Sequence, residues 1–439
     1  MLRSAFVLLL SVGFLVLSLR AVGDGDSLRW QDQFDLAGGT DQARSIAISS
    51  HRAVAIGVGS TVNGGVDLLV RAYDTATGTF EWRDQSPLAS GIITTVVIDD
   101  LGQRVFGAGY AQGGEGTDIL VRAYDARTGD RLWEDVANKG RDDFVQGIAA
   151  SRMGVFVVGY GGNIGGSSLD FLVRAYAPRT GTLLWEDRVD NAGKDDAAWK
   201  VATEGDVVFV AGSAFDGTTQ ELIIRAYDAT SGHLAWESRQ AGVSPSALAV
   251  DARQVFVGGQ ATTNDVPHPF LASYDAQSGK LLWQEQNGSG FVSDIVVAGS
   301  QIFTSGIGES LLRSYDARTG QLIWDDKAGV PGHLVTPWAL DVGRGFIFMS
   351  GEVAKPFEYS EFLVRAYDSG NGHLVWEDRA LRSASSGAFD IAVKGHRIFA
   401  VGWTTNISNN TDFLIRAYST HGKLKQLSAV EAREEVLAR

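Results

Sequence analysis

The segment VRAYDARTGDRLWEDV, residues 121–136, recurs along nearly the whole chain and limits what that chain can fold into. Its tyrosine returns as Tyr73, Tyr124, Tyr176, Tyr227, Tyr274, Tyr315, Tyr367 and Tyr418, at spacings of 51, 52, 51, 47, 41, 52 and 51 residues. Nine residues after each of the first seven stands a tryptophan: Trp82, Trp133, Trp185, Trp236, Trp283, Trp324 and Trp376. An eighth, Trp30, precedes the first tyrosine. Periods of this length belong to propellers, solenoids or arrays, in which each unit buries its apolar face against its neighbours.

Each period reads as four strands. In the first they are 44–49, 53–60, 67–74 and 79–84. The first three alternate or run apolar with β-branched residues, the pattern of half-buried and fully buried strands. Between the third and fourth lies DTATG, residues 74–78. There aspartate can accept from turn N–H groups and glycine supplies the φ > 0 position of a tight hairpin. No helical periodicity interrupts until residue 428. The expected fold is all-β: an eight-bladed β-propeller of four-stranded blades over 24–422. Eight tyrosine strands need eight tryptophan strands, and only seven follow their own tyrosine. The strand around Trp30 is therefore expected to pair with 412–418 and close the ring, hiding two edges. The rival closing strand, 422–428, has no tryptophan. All eight tryptophans are expected to dock between neighbouring blades, filling the room left by a small residue such as Ala72.

Residues 1–23 have the form of a secretory signal: Arg3, an apolar run from Ser4 to Leu19, and Ala21-Val22-Gly23 before the expected cleavage point. An uncleaved anchor is the alternative, although the run is shorter than a comfortable span. The protein is expected to be secreted or periplasmic, without a membrane span after cleavage, and monomeric. Residues 423–439 are expected to form a tail with a short helix, since Ser428 and Glu431 make a capping box. The formal net charge of −14 argues against nucleic-acid partners. The absence of cysteine removes disulfides, thiolate metal sites and a cysteine nucleophile.

The hairpins carry A-x-D-x-x-x-G-x-x-x-W, as AYDTATGTFEW (72–82), AYDARTGDRLW (123–133), AYDATSGHLAW (226–236) and AYDSGNGHLVW (366–376). Two copies begin with serine, at Ser273 and Ser314, and one has Ala177 in the aspartate place. This resembles the tryptophan docking motif of the quinoprotein-like propellers. That superfamily includes pyrroloquinoline quinone-dependent alcohol dehydrogenases and the outer-membrane assembly propeller of Gram-negative bacteria. A kelch-type propeller ranks second, its tyrosine-to-tryptophan spacing being shorter. The motif is structural in enzymes and non-enzymes of the superfamily alike. The resemblance implies, for the enzymes, a cysteine pair beside the quinone in many members and calcium or lanthanide ligands from Glu, Asn and Asp. This chain has no cysteine and no long insertion. No catalytic residue, metal ligand or cofactor is assigned, and pyrroloquinoline quinone with calcium stays an option without an identified ligand residue.

Other reactive constellations are thin. The histidines sit at turns, no H-x-x-x-H spacing or G-x-S-x-G elbow occurs, and the acidic pairs 142–143 and 195–196 read as turn caps. An acidic residue opens the third strand in seven units, with arginine four residues later: Arg71, Arg122, Arg174, Arg225, Arg313, Arg365 and Arg416. The fifth unit has His268 and Ala272 instead, which suggests that both charges serve one structural network reaching the WED carboxylates. A ring recognising a charged ligand is the alternative. Specificity in a repeat scaffold is expected where the repeats differ. Tyr110, Tyr160 and Trp403 follow the glycine that ends the second strand, and Trp199 and Trp338 stand near the start of the first strand, where other units have Arg44 and Gln146. These five aromatics are the candidate binding residues for an unknown protein or surface ligand. A non-catalytic scaffold is the first reading, and an atypical quinone-dependent dehydrogenase the second.

Overall fold

In the computed structural model the motif folds as a hairpin whose turn is set by two residues. Asp74 Oδ1 accepts from the backbone N–H of Ala76 and Thr77, and Gly78 turns back at φ 74°. The same aspartate turn forms at Asp125, Asp228 and Asp368. At Ala177 the side-chain acceptor is missing, and the turn is held by Gly181 N–H donating to Ala177 O. The structure describes residues 27–420 apart from 89–91, 113–115, 138–141, 163–167, 192, 264–265, 309, 327–328, 331, 356–357 and 381–384. The expected signal segment and C-terminal helix lie outside the described residues.

The strands form eight four-stranded antiparallel sheets. The first consists of Gln42–Ile48, Arg52–Ser60, Val66–Asp74 and Phe80–Leu88, in that order. The two middle strands of a blade are covered on both faces, so they read as continuous apolar runs; Val54, Ala55, Ile56, Leu69 and Val70 are fully buried. First strands pack on the first strands of both neighbouring blades, which makes them the inner wall of a ring. The last sheet is composite. Strands Ser386–Lys394, Arg397–Thr405 and Thr411–Ser419 are completed by Leu28–Phe34, with Trp30 opposite Ala417 and Phe34 opposite Phe413. The N-terminal strand thus closes the ring, and the edge that 422–428 would need is taken.

Every first strand carries a register shift, a β-bulge that skips one residue: Arg44, Thr94, Gln146, Trp199, Ser246, Ser293, Trp338 and Phe389. Bulges turn a side chain out of the regular alternation. Hydrophobic periodicity does not show them, and they determine what the inner wall displays.

Between blades, seven indoles of the described residues lie on the glycine of the next hairpin. Trp82 presses on Gly129, where an added Cβ would stand 2.6 Å from the ring, and its Nε1–H donates to Ala126 O at 2.9 Å. Trp133, Trp185, Trp236, Trp283 and Trp324 repeat both contacts, donating to Pro178, Ala229, Ala276, Ala317 and Ser369. Trp376 meets Tyr418 edge-on at 5.1 Å. The small residue of the motif has a different task from the expected one. Ala72 is the cross-strand partner of Trp82 within its own hairpin, and the glycine makes room for the indole arriving from the neighbouring blade.

The two charge rows take different direct partners and are joined through the outer strand: in the fourth blade Glu237 accepts from both Arg225 and Arg239, and Arg239 reaches Glu221. Arg122 Nε donates to Glu134 of its own blade at 2.6 Å, and its Nη1 to Asp84 and Ser86 of the preceding blade. Tyr124 O–H donates to the same Asp84 at 2.8 Å. Arg71 with Tyr73 on Asp32, Arg174 with Tyr176 on Asp135, and Arg225 with Tyr227 on Asp187 repeat this arrangement. The acids that open the third strand bond elsewhere, to the third residue after the tryptophan of the outer strand: Gln85 on Asp67, Arg239 on Glu221, Arg379 on Glu361 and Gln33 on Asp412. At the fifth blade the arginine network is replaced as a whole. Ala272 and Ser238 stand where arginine and aspartate would be, Tyr274 donates to Gln240, and Gln240 donates to Gln284. Charged partners vanish together because a buried charge left alone costs more than a neutral hydrogen-bonded set.

Candidate functional site

The bulges and the ends of the second strands bring aromatic side chains together at one end of the inner ring. That end is opposite the turns joining first to second strands: in the third blade, Asp143 pairs with Gly161 there, while Ala150 pairs with Val155 beside the turn. Tyr110 meets Phe144 at 5.0 Å in an edge contact, Phe144 meets Tyr160 at 5.2 Å, and Tyr160 meets Trp199 at 5.9 Å. On the other side Trp338 meets Phe389 at 6.3 Å, and the Arg44 guanidinium lies 4.9 Å over the Phe389 ring. The result is an arc of six successive blades, from the seventh to the fourth, that carries two groups, each in contact within itself, Trp338–Phe389–Arg44 and Tyr110–Phe144–Tyr160–Trp199.

Blades five and six break the arc. Their bulge residues are Ser246 and Ser293, whose hydroxyls donate to the carbonyls of Val292 and Pro337. The ring contacts therefore stop there, although Phe291 of blade six holds the place of Phe144.

Tyr110, Tyr160, Trp199 and Trp338 of the five expected residues enter this arc. Trp403 sits apart: it shares the space above Gly387 with Glu352, whose carboxyl is pushed up by burial. Trp338 is 44% exposed, unusual for an indole inside a ring, while the others are half-buried. Trp199 is oriented by its Nε1–H donating to Ser213 Oγ at 2.9 Å. Burial raises the Tyr160 hydroxyl pKa, partly offset by a hydrogen bond with Gln146. Burial likewise lowers the Arg44 pKa. Sequence reading missed Arg44, Phe144 and Phe389 as members. Phe389 was accessible by aligning strand starts, since it occupies the place of Trp199 and Trp338; Phe144 lies two residues before the equivalent position, Gln146.

Below the arc, acidic side chains tie adjacent first strands together. Asp294 accepts from Ile295 and Leu340 N–H, Asp341 from Val342 and Val393, and Asp390 from Ile391, Ile46 and the Ser45 hydroxyl. Burial raises all three, Asp341 and Asp390 to about 6. A calcium ion takes six to eight oxygen ligands. These carboxylates are committed on both oxygens to the protein, and among the described residues no group of three or more His, Asp or Glu is arranged to hold a metal. Asp294, Asp341 and Asp390 thus serve as ties between neighbouring first strands.

A family model described as outer membrane protein assembly factor BamB matches residues 169–259 and 219–354. Comparison with curated protein sequences finds no match. Among solved structures, BamB from Moraxella catarrhalis superposes with a TM-score of 0.54 at 16% identity, covering 90% of this chain and 98% of that one. A quinohemoprotein alcohol dehydrogenase from Pseudomonas putida HK5 gives 0.53 at 12%, covering 90% and 76%. Sqt1 of Chaetomium thermophilum, bound to the N-terminus of the ribosomal protein L10, gives 0.59 at 13%, covering 88% and 98%. At these identities the likeness is one of fold, shared by scaffolds and enzymes.

Proposed function

Starting from a quinoprotein-like eight-bladed propeller, we propose that this protein is an exported scaffold that captures a protein partner on the aromatic end of its inner ring. The observation that carries the reading is the arc from Trp338 to Trp199, two contacting groups set on six successive blades. Aromatic residues and arginine are the types that anchor protein interfaces, where large rings lose little entropy on burial. A surface this wide suits an extended or loop segment of a partner better than a small molecule. Export follows from residues 1–23, whose apolar run and small residues have the form of a cleaved signal. The scaffold reading is supported by the inner carboxylates, which hold strands together rather than facing a substrate.

The test is capture of cross-linked partners by residues 24–439 and by a Trp199→Ala/Trp338→Ala variant. The variant should lose the captured protein while its melting temperature stays unchanged. Equal capture by both would remove the arc from the site. The second reading, a quinone-dependent dehydrogenase, requires that pyrroloquinoline quinone with calcium raise the melting temperature and support dye-linked oxidation of an alcohol or sugar.

A further inference from the structure

The residue that ends the second strand stands at the aromatic end of the ring, and its bonding differs between blades. In the fourth blade it is Ser213, which accepts from the Nε1–H of the bulge residue Trp199 at 2.9 Å. The seventh blade has the same kind of pair, with Trp338 on the bulge and Glu352 at the strand end opposite Thr336. There the bond is not made. Among the described residues no hydrogen bond or ion pair engages the Glu352 carboxylate or the Trp338 indole N–H. Trp338 is left 44% exposed, and burial, with no cation or donor to offset it, pushes the Glu352 carboxyl up. A half-buried carboxylate without a partner is a cost that a ligand can remove.

Trp403 holds the strand-end place in the eighth blade, opposite Gly387. A Cβ added at Gly387 would stand 3.1 Å from Trp403 Nε1 and 3.2 Å from Glu352 Oε2. The glycine therefore leaves a space between a carboxylate of one blade and an indole N–H of the next. Neither is bonded to the other or to any other described residue, and neither atom is sealed from solvent. Two residues further along the same first strands stand Trp338 and Phe389, in edge contact. Among the bulge residues and the second-strand ends of all eight blades, Glu352 is the only carboxylate. Arg44 is the only basic side chain in that set, and its guanidinium already lies over Phe389.

We propose that this space binds the guanidinium of an arginine on an extended segment of the partner protein, with Glu352 accepting its N–H groups and the Trp403 and Trp338 rings offering their faces. The inference rests on the scaffold reading above and names the side chain that the scaffold selects. Charge points the same way, since a chain of net charge −14 draws basic partners. Arginine suits the place better than lysine. Its planar fork matches a carboxylate, it stacks on aromatic rings, and it gives up water more readily than an ammonium group.

The test follows the indole ¹⁵N–¹H resonance of Trp403, assigned as the one lost in Trp403→Phe, while the chain without residues 1–23 is titrated with acetyl-Gly-Arg-Gly-amide. The resonance should move and saturate, and that of the docking indole Trp82 should stay in place. Glu352→Gln should weaken the titration by roughly tenfold, the loss of a charge-assisted pair. No saturable movement, an equal titration in that variant, or an equal response to the same peptide with norleucine for arginine overturns the proposal. So does a stronger response to the lysine peptide, which would make the occupant an ammonium group. Movement with maltose and not with the peptides would make the site one for glycans, and movement on dilution of the protein alone would make a second copy the occupant; each overturns the proposal. Should Trp403→Phe not fold, the Trp338 resonance, assigned by Trp338→Phe, reads the same titrations. The scaffold reading fails separately. Capture lost in Trp199→Ala/Trp338→Ala but kept in Glu352→Gln sinks this inference alone. Capture unchanged in the former, with a peptide titration that depends on Glu352, removes the arc reading and leaves the arginine site.

Discussion

The seam between the first and second blades and the aromatic end of the inner ring are built from the same repeat and use it in opposite ways. At the seam, Arg122, Tyr124, Asp84 and Glu134 occupy positions whose chemistry recurs around the ring, because each must meet a partner supplied by the neighbouring copy. At the inner ring, one bulge position holds Arg44, Trp199, Ser293, Trp338 or Phe389. Those side chains meet their neighbours in different ways from blade to blade, by a ring contact at Trp338 and by a hydroxyl on a carbonyl at Ser293. Repetition marks where blades bind each other, and divergence marks where the ring can meet something else.

That contrast breaks most readily at the seam. Arg122→Ala should destabilise the protein by about 3–5 kcal/mol, the usual consequence of removing one partner from a buried ion pair. Asp84 and Glu134 would then face each other across a gap that Tyr124 alone cannot neutralise. Urea denaturation measures it, and a loss under about 1 kcal/mol, the range of an exposed pair, would remove the network from the forces holding the blades.

A smaller effect is expected from pH. Burial holds Asp41, Asp143, Asp196, Asp341 and Asp390 near 6, above the ordinary value of 3.8. The folded state therefore keeps these protons where the unfolded chain has released them. Their contribution is fully present below pH 3.8 and is lost as pH rises through about 6. The depressed turn aspartates Asp74, Asp125 and Asp228 lose theirs only below that window. The urea midpoint at about pH 4.5 should exceed that at about pH 7.5, by about 1 kcal/mol or more in stability, one unit on one group being worth about 1.4 kcal/mol. A midpoint that rises with pH would show that these carboxylates ionise freely in the folded ring.

The smallest effect concerns the seam that has already lost its charges. Ala272→Arg alone should destabilise, since it buries a cation opposite Ser238 and Gln284. Adding Ser238→Asp and Gln284→Glu should recover most of the loss, with a coupling of about 0.5–3 kcal/mol among the three sites. Additive effects would mean that the fifth seam differs from the others in more than its charges.

Much of the ring was legible in the spacing of one tyrosine and one tryptophan. The blade number, the hairpin turns at residues such as Asp74 and Gly78, and closure by the strand around Trp30 all follow from counting units that must pair. The charge rows were visible and their connectivity was not. Arg71 lies four residues after Asp67, yet it bonds Asp32, because a strand points both residues across to neighbouring strands that the local sequence does not identify. Four of the five candidate aromatics did come together, but Phe144, Phe389 and Arg44 joined them only through the first-strand bulges and the second-strand ends. Local periodicity is a property of the chain, so the sequence by itself determined the repeat, the hairpins and the number of blades. Which side chains share a seam, an arc or a cavity depends on the register between blades and on a one-residue bulge in each inner strand. Those are settled only when eight sheets pack at once.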